Sequence, residues 1–219
     1  MNVFDIIGPV MIGPSSSHTA GAVRLGRVAW KILGEKAVKA DIVLSGSFAQ
    51  TYKGHGTDKA IIAGIMGMHS HDERIRNSLS IAEQNGLEFN FKLMDIPNAH
   101  PNTAKITLTG ENGATCTIQG ASIGGGNILV TNINSIDVSF TGQYNTLIVL
   151  HHDKAGTIAA VTNFMAYSGL NIGNFRLSRP QKGGEAVMTI EVDGDVPDYL
   201  IQNLQILPNI INVILIRAI

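Results

Sequence analysis

Two short stretches of this chain concentrate side chains suited to holding small anionic ligands. The first is Gly13-Pro14-Ser15-Ser16-Ser17-His18-Thr19-Ala20-Gly21, with three consecutive serines, an imidazole and a threonine behind a Gly-Pro turn. The second runs from Gly46 to Ala60 and contains Lys53-Gly54-His55-Gly56-Thr57-Asp58. Ser or Thr ahead of an apolar periodic segment signals a helix N-cap. A helix start offers free N–H groups and the positive end of the dipole, which suit a carboxylate. The four hydroxyls of Ser15, Ser16, Ser17 and Thr19 exceed what capping requires. Glycine on either side of His55 permits close approach of a ligand.

Two further clusters follow. Asn98-Ala99-His100-Pro101-Asn102-Thr103 is one, and Ser122-Ile123-Gly124-Gly125-Gly126-Asn127 is the other. The glycine triplet reads equally as a bulge or corner between strands and as a backbone nest facing an anion. The elements that must position these groups are partly visible. Val23, Leu25, Val28, Ala29, Ile32 and Leu33 have mostly helical spacing. A strand over 40–44 leads into the His55 segment, read as a glycine-rich loop, and Ile61, Ile62, Ile65 and Met66 then mark a helix that Thr57 or Asp58 could cap. Phe89, Phe91 and Leu93 alternate as in a strand, residues 106–118 form a hairpin around Asn112-Gly113, and one strand is expected over 128–138.

Beyond Gly142 the pattern becomes regular. The order is a strand over 144–150, the turn Asp153-Lys154-Ala155-Gly156, and a helix over 157–167 that Gly169 terminates. Two strands over 172–178 and 185–192 flank Lys182-Gly183-Gly184, and a helix over 198–206 and a strand over 210–216 complete the chain. That order is βαββαβ, a ferredoxin-like arrangement. The expected fold class is α+β, with an α/β-like domain over residues 1–140 and the ferredoxin-like domain over 144–219.

Composition narrows the classes. The chain has 219 residues and a formal net charge of −1, so no basic footprint argues for nucleic acid. Charged residues make up 15%, below the usual ~25%, which suggests that some surface is covered by another chain. No apolar run reaches a membrane span, and Asp5 and Pro9 interrupt any signal-like core, so a cytoplasmic protein is expected. The single Cys116 permits no intrachain disulfide and cannot by itself hold an iron–sulfur cluster. It reads as a small buried hydrophobe in a strand. The histidine spacings contain no His-Glu-x-x-His pattern, so no metal site is expected in this chain.

The segments Gly13–Gly21, Gly46–Asp58, His100–Thr103 and Ser122–Gly126 resemble, in the same order, the beta-chain family of bacterial iron–sulfur L-serine dehydratases. The resemblance implies β-elimination of water from L-serine, with pyruvate and ammonia formed after the enamine and imine hydrolyse. It implies a 4Fe–4S cluster with an open iron site, acting as a Lewis acid on the departing hydroxide. Its cysteines would lie on a separate alpha chain, without which this chain would be inactive. Ser15, Ser16, Ser17 and Thr19 would bind the substrate carboxylate or amine, with Thr57 and Asp58 at the same site. Gly124, Gly125 and Gly126 would line that pocket or shape its loop. His55 is the first candidate for proton transfer at the α-carbon and His18 the second, since histidine titrates near neutral pH. The alternative is a non-catalytic amino-acid- or anion-sensing protein, because the first domain also resembles the regulatory domain beside ACT modules in some phosphoglycerate dehydrogenases.

The C-terminal pattern resembles an ACT domain, including its Asp-x-x-Gly turn and the Gly169-Leu170-Asn171-Ile172 entry to the second strand. Ala155 stands where that family's turn usually has proline, so the backbone is less preset. The resemblance implies His151, Asp153, Gly156 and Asn171 as effector contacts between two copies. The other reading is a module that serves assembly alone, with His151 and His152 as exposed strand-end residues.

Overall fold

The computed structural model describes residues 11–218. The chain divides into two units, one reaching Asn134 and the other beginning at Ser135.

In the first unit a π-helical turn, Ser17–Gly21, runs directly into α1 (Ala22–Leu33). There follow β1 (Ala37–Gly46), α2 (Ser47–His55), α3 (Thr57–Ile65), α4 (Ser78–Gln84) and β2 (Glu88–Leu93). β3 (Asn102–Gly110), β4 (Thr115–Gly124) and β5 (Asn127–Ile133) complete the unit. Its strands lie in the order β2-β1-β3-β4-β5. β2 is parallel to β1, and the β1–β3, β3–β4 and β4–β5 pairs are antiparallel.

Helix α1 buries the apolar stripe Val23, Leu25, Val28, Ala29, Ile32 and Leu33 against β3, β4 and α3. It lies against α3 backbone to backbone. A methyl group on Gly26 would strike the carbonyl oxygen of Ile61, and one on Gly64 would strike that of Val23. Two glycines therefore set the separation of the two helices that lead to and from the histidine-bearing segments.

The second unit contains β6 (Ile136–Phe140), β7 (Asn145–His152), α5 (Thr157–Tyr167), β8 (Ile172–Ser178), β9 (Glu185–Val192), α6 (Asp198–Gln205) and β10 (Ile210–Ile216). The order β7-α5-β8-β9-α6-β10 and the antiparallel sheet β10-β7-β9-β8 make the ferredoxin-like pattern. Leu147, Val149, Met188, Ile190 and Val213 from the sheet meet Val161 and Met165 of α5 and Leu200 and Leu204 of α6 in one core.

Three expectations are corrected. The strand expected over 128–138 is broken at Asn134 and Ser135, whose φ angles are 49° and 69°. Neither glycine nor proline marks that turn, although asparagine tolerates the left-handed region well. β6 accordingly falls in the second unit, where Val138 and Phe140 are buried and the strand packs on β8 and β9. The segment 47–60 is helical, not a glycine-rich loop: α2 and α3 follow each other with only Gly56, φ 71°, between them. The helix at the serine cluster begins earlier than its apolar stripe, so His18 and Thr19 lie inside it.

Candidate active site

All four motifs meet at one end of the first sheet. β1 ends at Gly46, opposite Asn102 at the start of β3. β4 ends on the same side, where Ser122 lies so close to Gly21 that a methyl group on that glycine would strike its hydroxyl. Asn102 Nδ2 donates to the Ser122 carbonyl at 3.4 Å, and Thr103 Oγ1 donates to the His100 carbonyl at 2.7 Å. The strand-to-helix corner at Gly46 needs φ 58°, and a side chain there would press on the backbone of Pro101. Only glycine meets both demands.

That corner starts α2, on which Ser47, Thr51 and His55 follow at i, i+4 and i+8 and share a face. The face meets His18. Thr51 Oγ1 lies 3.0 Å and Ser47 Oγ 3.4 Å from His18 Nε2, while Ser15 Oγ lies 3.3 Å from His18 Nδ1. Phe48 closes the ring from another side, with centroids 5.1 Å apart. His18 is 8% exposed. Burial first, and the nearby His55 charge second, hold its pKa below the ordinary histidine value, opposed by a hydrogen bond to the Ser47 backbone.

His55 is the last residue of α2, not a loop residue, and its Nδ1 is buried without a hydrogen-bond partner. It lines a cleft of about 300 Å³ together with Gly13, Thr19, Lys53, Lys59 and Arg76. Nothing lies within 4 Å of a methyl group placed on Gly54 or Gly56, so the flanks of His55 are open. The cleft thus joins an imidazole, a buried hydroxyl and three cationic side chains, an arrangement that attracts an anion and can exchange a proton with it.

The other candidate residues are distributed as follows. Ser15, Ser16 and Ser17 are half-buried around the start of the π-turn, and Ser15 Oγ accepts the His18 backbone N–H at 3.4 Å. Thr57 and Asp58 do not cap α3, whose N-cap is Gly56. Thr57 is fully buried with its Oγ1 unpartnered. Burial raises the Asp58 carboxyl above its usual range, while Lys59 and its backbone N–H and then Lys53 pull the other way. Gly124, Gly125 and Gly126 are a tight hairpin turn, with φ 59° and 82° at the two central glycines, as a type I′ turn requires. The Gly126 carbonyl accepts from Arg24 Nη1 at 2.6 Å, and the triplet is not among the residues lining the His55 cleft. Ser47, Thr51, Lys53, Lys59 and Arg76 had no role in the sequence reading. The i, i+4, i+8 spacing of Ser47, Thr51 and His55 is the signal that reading 47–60 as a helix would have exposed.

Cys116 lies in β4, 3% exposed, and donates to the Ala29 carbonyl at 3.4 Å. Burial pushes its thiol up to about 11. Such a thiol is a poor source of the thiolate that iron requires. Among the described residues no group of three His, Cys, Asp or Glu side chains converges to hold a metal ion. The donors among the described residues therefore do not fit a 4Fe–4S cluster.

In the second unit His151 is buried, in contrast to the strand-end exposure of His152. Its Nδ1 lies 2.9 Å from the His152 carbonyl, and its Nε2 is unpartnered. Asp153 accepts from Gly183 N at 2.8 Å and Arg179 Nη1 at 3.0 Å, which hold its carboxyl below the usual range. Asp153 and Gly156 share a cleft of about 400 Å³ with Lys154, Arg179 and Lys182. Asn171 lies at the other end of the sheet, where its Nδ2 donates to Asp193 Oδ2 at 2.6 Å, because β8 pairs Ile172 with Val192 while β7 pairs His151 with Ala186. One copy of the chain therefore does not unite the four residues His151, Asp153, Gly156 and Asn171.

No helix among the described residues is long and apolar enough to cross a membrane. Residues 2–132 match the family described as serine dehydratase beta chain. The chain is 48% identical over 212 residues to a probable L-serine dehydratase beta chain of Bacillus subtilis (strain 168), covering 97% of this chain and 96% of that one. It is 37% identical to the L-serine dehydratase beta chain of Peptoniphilus asaccharolyticus, covering 91% and 90% of the two chains. A more distant likeness, 24% identical over 89% of this chain, is to D-3-phosphoglycerate dehydrogenase of Bacillus subtilis (strain 168), of which it spans 37%. With a family match over the whole first unit up to residue 132 and relatives aligned nearly end to end, the chain belongs to the serine dehydratase beta chain family.

Proposed function

We propose that this chain is the L-serine dehydratase subunit that supplies substrate-binding and proton-transfer groups for β-elimination of water from L-serine. The observation that carries the reading is the cleft in which His55 and Thr19 face Lys53, Lys59 and Arg76 in a chain of this family. The cationic side chains attract the carboxylate of serine. A ring nitrogen of His55 takes the α-proton, the β-hydroxyl leaves as hydroxide and receives that proton from protonated His55 to become water, and 2-aminoacrylate remains. That enamine tautomerises to the imine and hydrolyses to pyruvate and ammonium.

The names of the relatives imply an alpha-chain partner. An iron–sulfur cluster would then be held by that partner, since this chain has a single cysteine and that one is buried in β4, and activity would need both chains. The second unit is proposed as an ACT-type module that serves self-association or effector response. The second reading, an amino-acid- or anion-sensing protein without catalysis, draws on the likeness to D-3-phosphoglycerate dehydrogenase. One experiment separates the two. The chain is mixed anaerobically with a cysteine-rich alpha chain of the same genome, and pyruvate release from L-serine is followed. Turnover by the mixture and none by either chain alone is expected. Stable complex formation with no turnover under any reducing condition would favour the sensing reading.

A further inference from the structure

Hydrogen-bond directions around His18 assign its protons. Thr51 Oγ1 lies 2.8 Å from the Ser47 carbonyl and donates its hydrogen there, as a helical threonine does to the residue four positions back. A hydroxyl has one hydrogen, so Thr51 presents only lone pairs to His18 Nε2 at 3.0 Å. Ser47 Oγ lies farther from the same nitrogen, at 3.4 Å, and can accept there as well. Thr51, the closer of the two hydroxyls and the one whose hydrogen is already used, therefore marks Nε2 as the nitrogen that carries hydrogen.

The other side of the ring agrees. Ser15 Oγ accepts the His18 backbone N–H at 3.4 Å and keeps its own hydrogen to donate to Nδ1 at 3.3 Å. In neutral imidazole one nitrogen donates and the other accepts, so both sets of bonds describe a single tautomer. His55, whose ring centroid lies 4.6 Å away, has a buried Nδ1 with no partner.

The geometry points to Thr51 as a positioning residue that fixes His18 in the Nε2–H tautomer, so that the Nδ1 lone pair is committed to the Ser15 hydroxyl and His55 alone is left to exchange a proton with substrate. The assignment of roles rests on the dehydratase reading, whereas the tautomer does not. Ser15 thereby becomes an oriented acceptor. With its hydrogen on His18 and one lone pair on the His18 backbone N–H, its remaining lone pair is suited to an ammonium N–H of a substrate rather than to a carboxylate.

The test uses the full-length chain labelled with nitrogen-15. Long-range proton–nitrogen correlation spectra distinguish a hydrogen-bearing ring nitrogen from a bare one, and the His18→Gln variant identifies which signals belong to His18. At a pH where His18 is neutral, Nε2 is expected to carry the hydrogen and Nδ1 to be bare. Thr51→Val keeps the shape and removes the acceptor. It should reduce the Nε2–H to Nδ1–H ratio by about tenfold, the worth of one hydrogen bond, and Thr51→Ser should restore it. Dispersed backbone spectra of each variant establish that it is folded. A hydrogen on Nδ1 in the wild-type chain would overturn the proposal, as would an unchanged tautomer ratio in folded Thr51→Val. Neither readout requires turnover, so failure of the dehydratase reading would show separately, as an assembled wild-type complex that releases no pyruvate.

Discussion

The imidazole rings of His18 and His55 meet edge-on, with centroids 4.6 Å apart and planes inclined at 67°. Two rings this close disfavour a double positive charge. Burial and the neighbouring ring together lower the His18 pKa and so favour its neutral form. His18 is enclosed by Ser15, Ser47, Thr51 and Phe48, whereas His55 opens onto the cationic cleft. The two histidines therefore differ in access.

His55→Ala should lower kcat of the assembled enzyme by roughly 10²–10⁴-fold, the usual worth of general acid–base catalysis. Circular dichroism and complex formation should be almost unchanged, because His55 ends a helix and belongs to no apolar core. A well-assembled variant with near-normal kcat would transfer the proton-handling role away from His55.

The lowered pKa of His18 has a defined sign in stability. As pH falls through the ordinary histidine range near 6.5, the unfolded chain binds a proton that folded His18 resists. The folded state should lose stability on acidification through that range and retain it at higher pH. Urea midpoints measured at about pH 7.5 and about pH 5.5 should differ more for the wild-type chain than for His18→Gln. Equal pH dependence in the two proteins would contradict the assignment.

Gly64→Ala sets helix propensity against packing. Alanine is favoured over glycine in a helix by about 1 kcal/mol. The added methyl would, however, meet the Val23 carbonyl, a backbone atom that cannot swing aside. Packing should prevail, with destabilisation of about 1–3 kcal/mol in equilibrium unfolding. Because α1 continues from the turn carrying His18 and α3 follows His55, kcat of the folded variant should fall as well. A variant as stable as the wild type would show that the helices are not in backbone contact.

Cys116 should be inert in the folded chain. A thiol raised to about 11 and buried in β4 has almost no thiolate at neutral pH. Iodoacetamide should label it only after unfolding in urea. Rapid stoichiometric labelling of the native protein would show that β4 opens readily.

The residue types of the site are legible in the sequence because they are clustered locally. Ser15 to Thr19 and Gly54 to Asp58 each form a continuous string, and their chemistry can be named before any fold is known. Their local conformation was less legible. Serine, glycine and histidine have weak helix preferences, so 47–60 reads as a loop. The burial of Phe48 and the packing of α3 against α1 make it helical instead. Likewise the break at Asn134–Ser135 has no glycine or proline to announce it.

The sequence by itself determined the α+β class, the βαββαβ order of the second unit and the list of groups available for chemistry. These are expressed in short-range periodicity and composition. Only the tertiary structure decided which groups meet. Gly21 touches Ser122, Arg24 holds the Gly126 carbonyl 102 positions away, and His18 is enclosed by hydroxyls from a helix that begins near residue 47. Such contacts depend on strand pairing and on glycine-to-glycine helix packing, which no local window of sequence contains. The two histidines, similar as residues, acquire different surroundings for the same reason. One ring is placed among hydroxyls and an aromatic neighbour, and the other at the mouth of a cleft.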